Sequence, residues 1–471
     1  MLTKSDFLDF RHCAKSFWLK SHRRDAVDWP SPSAFDRKIM ADGYAVEREV
    51  HRYIAARPDA ELYQPQRVFQ TDDLFARADL VKILEDGAIE LFEIKSSTSI
   101  KVTSDQDHIT DAAFQVLAAR RTGVTVSAAH LVHVNADYVR KGDVDPPSLL
   151  IFANVTAEVE ARLTVLEGEI GEALALLALD AIDENGCSCV YFGSPNNRCA
   201  AFAHFNPVIP EPSIYLLPLI SAKKVALFHA EGRLALSDIA ASELTPTQLP
   251  VHASALQGKP VINVAGIRSF LDQLVWPLHF YDYESFAAAV PRSDGHRPHQ
   301  QMPVQYSLHI LHENGDLEHC EFLTTEHGKQ RTLIEHMQAR IQPYGTMVSW
   351  YKTFECGCNT RMASLHPDKS AFLLDLNDRT IDLMDPVKTD YVDIGFKGST
   401  SIKKVLPILC PALQYDEHAV HDGGGAMEAW LRMVETGDPQ EKAQLASELI
   451  AYCTLDTLAM VEIYRALRQV I

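Results

Sequence analysis

Glu93 and Lys95 stand two residues apart in the strand-like run ELFEIKSS, and Asp79 precedes them within LFARADLVKIL. Two residues is the repeat of a β-strand, so Glu93 and Lys95 leave on the same face. A carboxylate followed by Glu-x-Lys on a strand suits metal-assisted cleavage of a phosphodiester. Asp79 and Glu93 would hold the ion, with the carbonyl of Ile94 as a further ligand. Lys95 would orient the attacking water or stabilise the charged transition state. Taken alone, the same residues also describe a charged strand edge.

A second acidic set lies in the other half of the chain. Asp282 and Glu284 share one strand face in HFYDYESF, while Tyr452 and Asp456 share a helix face at i, i+4 spacing in LIAYCTLDTLAMVEIY. Divalent metal held by carboxylates can orient water and neutralise charge at phosphorus, and Mg²⁺ or Mn²⁺ are the ions expected. Each motif alone reads equally well as a surface pair or an amphipathic helix. Their occurrence in order, on the right element types, favours the chemical reading.

The elements that must position these groups form an α/β pattern in two parts. A chain of 471 residues exceeds one ordinary core. Residues 1–205 read as helices, three strands (ELYQPQRVF, LFARADLVKIL, IELFEIK), a helix through HITDAAFQVLAARR, a strand at SAAHLVHVN and a helix over 156–177. The proline-rich FNPVIPEPSIYLL marks a boundary. Residues 206–265 read as a helical linker in which LISAKKVALFHAEGRLALSDI forms a helix, turn, helix pattern. Residues 266–471 form a second α/β part with strands at LHFYDYESF, VQYSLHILHE, CEFLTT, MVSWY and TIDLM, and a closing helix from Pro439.

Composition adds limits. With 46% hydrophobic residues and no apolar run long enough for a bilayer, membrane insertion is not expected. The opening segment lacks the layout of a secretory signal, which leads to an expected cytoplasmic location with reduced or metal-bound cysteines. A net charge of -19 argues against nonspecific coating of nucleic acid, so local clusters must bind it. Candidates are Arg11, Lys15, Lys20, Arg23 and Arg24, and Lys397, Lys403 and Lys404. Phe17, Trp18, Tyr281, Tyr283 and Trp350 are candidates for base stacking, although strand aromatics commonly pack inward.

The first part resembles PD-(D/E)XK nucleases of the RecB type. That resemblance implies a supporting role for Gln115 in DAAFQ and an additional ligand from Glu47 or His51 in DGYAVEREVH, with Glu47 where the pattern often has His. Cys13 followed late by Cys187, Cys189 and Cys199 is similar to the split cysteine pattern of iron-sulfur nucleases, in which one early and three late thiolates hold a [4Fe-4S] cluster. The late spacing, C-x-C and then a gap of nine residues, departs from the usual one. Zn²⁺ is the alternative for four thiolates.

The second part resembles the DEDD exonucleases, the DnaQ-like branch of the RNase H-like fold with its mixed sheet. The resemblance implies a third acid in SWYKTFE, which is Glu355, with Asp382 in TIDLMD as its rival. Asp282, Glu284, Glu355 and Asp456 would then bridge two metal ions while Tyr452 orients the water. The whole chain is similar to an uncharacterised bacterial two-domain family joining both nuclease types, through LTKSDFLDFRHCAKSFWLK, HLVHVNADYVRKGDVD, FYDYESF, RPHQQMPVQYSLHIL, GSTSIKKVLPIL and YCTLDTLAMV. The middle segment resembles a helix-hairpin-helix whose turn, LIS, lacks glycines.

The expectation is therefore a metal-dependent nuclease with two sites, including 3′-5′ exonuclease activity, acting on DNA ends or single-stranded DNA, with RNA also open. The alternative is a nucleic-acid-binding or scaffold protein with one or both sites inactive. A redox sensor using Cys187 and Cys189 ranks last, because C-x-C is poor disulfide geometry.

Overall fold

The computed structural model describes residues 1–103, 106–415, 420 and 422–471. The chain divides into two compact units. The first comprises Met1–Val190, Asn196–Pro207 and Ala288–Gln300; the second comprises Tyr191–Pro195, Val208–Ala287 and Gln301–Ile471. Both are mixed α/β structures.

In the first unit, strands β1 (Leu2–Thr3), β2 (Tyr63–Gln70), β3 (Leu74–Ile83), β4 (Ile89–Ile94), β5 (Val126–Val134) and β6 (Leu150–Asn154) form one sheet in the order β1-β3-β4-β5-β6, with β2 also paired to β3. The β2, β3 and β4 pairings are antiparallel, whereas β5 runs parallel to β4. A parallel neighbour needs a crossover, which helix His108–Arg121 supplies. That helix is buried from His108 to Ala119, and its alanines let it press against β3 and β5 on one side and helix Thr156–Leu177 on the other. A helix apolar on nearly all sides belongs in such a layer. Phe114 stacks on Phe7 of helix Lys4–His12, with centroids 5.6 Å apart. Strand β6 was not evident in the sequence.

The segment Ala288–Gln300 lies within the second half of the chain yet packs on the first unit. Its anchors are polar: Ala289 N–H donates to Asp42 Oδ1 (3.1 Å), Arg140 donates to the Pro291 carbonyl (2.8 Å), and His299 Nε2 bonds the Ser96 carbonyl (2.6 Å). No hydrophobic periodicity announces such a return.

The second unit has a small antiparallel pair, β7 (Val261–Ile262) with β13 (Tyr391–Val392), and a five-stranded sheet. Its strands are β8 (Leu278–Phe286), β9 (Met302–Leu311), β10 (Leu317–Leu323), β11 (Thr346–Ser349) and β12 (Thr380–Asp382), in the order β10-β9-β8-β11-β12. Pairing is antiparallel from β10 to β8 and parallel from β8 to β12. Strand β8 is therefore central and covered on both faces. Leu278 and Phe280 face a core with Met460, Ile463 and Tyr464 of the closing helix Pro439–Gln469, while Tyr281 and Tyr283 face Leu333, Met337 and Met362.

The middle segment is part of this unit. One helix, Ala222–Ala230, is followed only by a single turn at Leu236–Asp238, so the expected two-helix hairpin is absent among the described residues. Ile394 N–H donates to Ser254 Oγ (2.9 Å), and Gly398 turns against Leu216. Gly398 has φ +70°, and a Cβ there would lie 2.3 Å from the Leu216 carbonyl oxygen. Both the conformation and the space require glycine. Gly398→Ala is expected to destabilise the second unit by about 1–3 kcal/mol, read by denaturant unfolding, and unchanged stability would contradict this packing.

Candidate functional site

The period of β8 continues its apolar row into acid. Leu278, Phe280, Asp282 and Glu284 alternate onto one face, and the closing helix that packs on Phe280 through Tyr464 (centroids 5.7 Å) carries Asp456 and Tyr452 two and three turns earlier. Packing of the apolar part thereby sets the register of the polar part. Cys453, between the two, lies 3.8 Å from Asp282 Oδ2 through its Sγ. Ligand atoms of Asp282, Glu284 and Cys453 lie within 4.8 Å of one another.

Glu355 enters from the first turn of helix Lys352–Leu365, which begins directly after β11. The N-cap, Tyr351, has φ 72°, a left-handed conformation that is costly for a bulky residue. Asp382 at the end of β12 stabilises it by accepting from the backbone N–H groups of Tyr351 (3.0 Å), Lys352 (3.2 Å) and Met384 (3.0 Å). Asp382 is thus engaged in holding the turn, while Glu355 Oε2 is buried with no hydrogen-bond partner.

The electrostatics follow from burial. Desolvation and the Asp456 charge hold Asp282 well above the ordinary carboxylate range; desolvation and Asp282 do the same to Glu284 and to Glu355. Asp456 is pushed up to about 6 by desolvation, moderated by a hydrogen bond from Tyr415 (2.5 Å) and by the Lys403 charge. Lys403 donates to the Tyr452 hydroxyl (2.9 Å). Among the described residues, Glu355 and Asp456 act on Asp282 and Glu284 as neighbouring charges without joining their 4.8 Å cluster, and Lys403 is the cation that acts on the set. Excess buried negative charge and an orphaned carboxylate oxygen fit a divalent cation, as does the hard oxygen donor set.

The first constellation is organised differently. Asp79 on β3 accepts from the Ile94 N–H (2.8 Å) across the pair with β4. Glu93, 1% exposed, receives Lys95 (2.8 Å) and Lys4 (2.7 Å) on Oε1, and Gln115 on Oε2. Lys95 also binds Asp111. Burial alone would raise Glu93, but the ammonium groups of Lys95 and Lys4 outweigh it and hold the carboxyl below its usual range. Asp79, lacking such partners, is pushed up to about 7 by burial and the Glu93 charge. Asp111 Oδ1 and Gln115 Oε1 remain buried without partners, which leaves polar atoms for an ion or its waters.

Glu47 and His51 pair with each other along helix Ala34–Ala55 (3.5 Å). Gln66 donates to Glu47 (2.6 Å) from the β2 position that the β2–β3 ladder skips opposite Asp79. This ties the helix to the strands at the Asp79 level. Among the described residues, neither Glu47 nor His51 joins Asp79 and Glu93 in a cluster of ligand atoms within 4.8 Å.

Cys13, Cys187, Cys189 and Cys199 come together, all buried, with their sulfurs within 4.8 Å of one another. Cys13 caps helix Ala14–His22, whose N-terminus favours a thiolate; Asn206 and the Cys199 N–H donate to Cys187 and Cys189 at 3.4 Å each. Four thiolates suit a metal centre. A single tetrahedral ion with metal–sulfur bonds of about 2.3 Å meets this spacing directly, and an iron-sulfur cube meets it once the sulfurs spread.

Several contributors escaped sequence reasoning. Lys4 lies too far from Glu93 in the chain for any spacing signal, and Tyr415 sits outside periodic structure. Cys453 was legible, since it neighbours Tyr452 on the same helix. Of the basic N-terminal group, Arg11, Lys15, Lys20 and Arg23 are ion-paired to Asp107, Asp183, Asp9 and Glu184. Phe17, Trp18, Tyr281 and Tyr283 are buried core. Trp350 donates to the Thr400 carbonyl (3.0 Å).

A family model described as a domain of unknown function, DUF2779, matches residues 279–401, which include Asp282, Glu284 and Glu355. No curated protein and no solved structure matches the chain. Among the described residues, no helix is long and apolar enough to cross a membrane.

Two outcomes follow. A carboxyl whose folded pKa is raised binds its proton more tightly when folded, so its contribution to stability falls as pH rises from about 4 to about 6. Asp456→Asn should therefore stabilise the metal-free protein at neutral pH by up to about 3 kcal/mol, and the gain should vanish on acidification below that window. A variant equally stable at both pH values would contradict this. Cys199→Ser should lose bound metal, measured as iron with its visible absorbance or as zinc, and should destabilise the first unit. Wild-type protein devoid of both metals would refute a metal centre.

Proposed function

We propose that the chain is a metal-dependent nuclease with two active sites, and that the second unit trims nucleic acid from a 3′ end. The observation that carries the proposal is that ligand atoms of Asp282 and Glu284 lie within 4.8 Å of one another, with Asp456 and Glu355 acting on them as neighbouring charges, so that Asp282, Glu284 and Glu355 are held well above the carboxylate range and Asp456 is pushed up to about 6. Such a set binds Mg²⁺ or Mn²⁺ in exchange for protons. The ions would supply charge neutralisation at phosphorus and an activated water. The chain's own residues then have defined tasks: Asp282, Glu284, Glu355 and Asp456 hold the ions, Tyr452 orients the water, and Asp382 fixes the turn that presents Glu355. In this reading the third acid is Glu355.

In the first unit, Asp79 and Glu93 would hold a metal with the Ile94 carbonyl, and Lys95 would face the reacting phosphate. Gln115 fixes Glu93, and Glu47 or His51 would complete the ion from the helix side. The resemblance to iron-sulfur nucleases favours a [4Fe-4S] cluster at the cysteines, whose role is to staple the early and late segments of that unit. DNA ends or single strands are the proposed substrates, in repair, recombination or defence.

The test is degradation of single-stranded DNA labelled at either end, with Mn²⁺ or Mg²⁺. Asp456→Ala should abolish trimming from the 3′ end, and Lys95→Ala should remove a separate cleavage pattern while sparing that trimming. Metal-replete, anaerobically prepared protein that cuts neither DNA nor matched RNA would overturn the proposal in favour of a binding scaffold.

A further inference from the structure

Among the described residues, the cation of the second site is Lys403, and its hydrogen bond to Tyr452 has a fixed sense. Lys403 lies at the start of helix Ile402–Leu409, which follows the Gly398 turn and packs on the closing helix through Val405 and Leu406. Its ammonium is a donor only, so at 2.9 Å from the Tyr452 hydroxyl it must donate to the phenolic oxygen. The single phenolic proton is then directed elsewhere. Tyr415 donates to Asp456 Oδ1 (2.5 Å), and the charges that act on the Tyr452 hydroxyl are those of Asp456, one turn along the same helix, Glu284 and Asp282, so the acidic cluster is the acceptor within reach of the Tyr452 proton. The ammonium also lies 4.7 Å from the Tyr452 ring centroid and 5.5 Å from that of Tyr415, which holds both rings against it. Lys404, the next residue, is exposed.

We propose that Lys403 is a positioning residue for Tyr452: by donating to the phenolic oxygen it obliges Tyr452 to act as a donor toward the metal-bound cluster, where the attacking water and the substrate phosphoryl oxygens must lie. The inference rests on the exonuclease reading of the second site. Without Lys403 the phenol is free to turn its proton outward and to accept instead, and the water loses an oriented donor. Because Lys403 acts through Tyr452, removing both should cost no more than removing Tyr452 hydroxyl alone. A lysine that only bound phosphate or balanced charge would give independent losses.

The experiment is single-turnover trimming of a 3′-labelled single-stranded oligonucleotide by the full chain with Mn²⁺, comparing Lys403→Met, Lys403→Arg, Lys403→Gln, Tyr452→Phe and the Lys403→Met/Tyr452→Phe pair. Lys403→Met and Tyr452→Phe are each expected to lower the maximal rate on the order of tenfold or more with the half-saturating DNA concentration little changed, and the pair should match Tyr452→Phe. Arginine and glutamine, which can donate, should restore part of the rate. Multiplicative losses in the pair, or a loss confined to DNA affinity, would overturn the inference. If Lys403→Met fails to fold, Lys403→Ala, which likewise cannot donate, carries the same comparison with Tyr452→Phe. Asp282→Asn serves as the reference: trimming that survives it would overturn the exonuclease reading itself, whereas trimming that it abolishes leaves the Lys403 comparison to decide the positioning role alone.

Discussion

Burial of like charge is the constraint on which the second unit turns. Strand β8 is covered on both faces, so the side chains of Asp282 and Glu284 enter a region where a carboxylate is costly unless paired. Asp456 and Glu355 arrive from two helices and increase that cost. Among the described residues, Lys403 is the cation that offsets it. The surrounding structure keeps this arrangement because the apolar halves of the same elements, Phe280 against Tyr464 and Val405 with Leu406 against the closing helix, fix their register strongly. Stability supplied by the apolar rows holds the acidic rows in place.

The first unit resolves the same problem internally. Glu93 is more deeply buried than any acid of the second site, yet Lys4, Lys95 and Gln115 saturate both of its oxygens. A metal ion there would have to share Glu93 with two ammonium groups, whereas one in the second site would meet unbalanced carboxylates. The two sites therefore differ in their need for an ion, although both present acids on paired strands. The cysteine cluster belongs to a third kind of constraint, one that joins residues of the early chain to residues nearly two hundred positions later through sulfur chemistry.

What the sequence made legible was whatever obeys a period. The closing helix from Pro439, helix His108–Arg121, helix Thr156–Leu177 and strand β8 all lie where their apolar spacing puts them, and Asp282 with Glu284, and Tyr452 with Asp456, follow from the same periods. Long-range pairings obey no period. Lys4 reaching Glu93, Tyr415 reaching Asp456 and the return of Ala288–Gln300 to the first unit depend on how finished elements pack. The sequence favoured Glu355 over Asp382 through the resemblance alone, since both are acids beside strands, and it could not show what engages Asp382. That engagement rests on three backbone amides that only the folded turn at Tyr351 presents to Asp382.

The central claim is that the buried acids of β8 and its partner helices form a cation site. Titration of Mn²⁺ into the intact protein at neutral pH, followed by calorimetry or electron paramagnetic resonance, addresses it most directly when the first site is silenced with Asp79→Asn. Strong binding is expected to persist in that background and to be lost on adding Asp282→Asn, with protons released as each ion binds. Binding that is indifferent to Asp282, or that disappears with Asp79 alone, would contradict it.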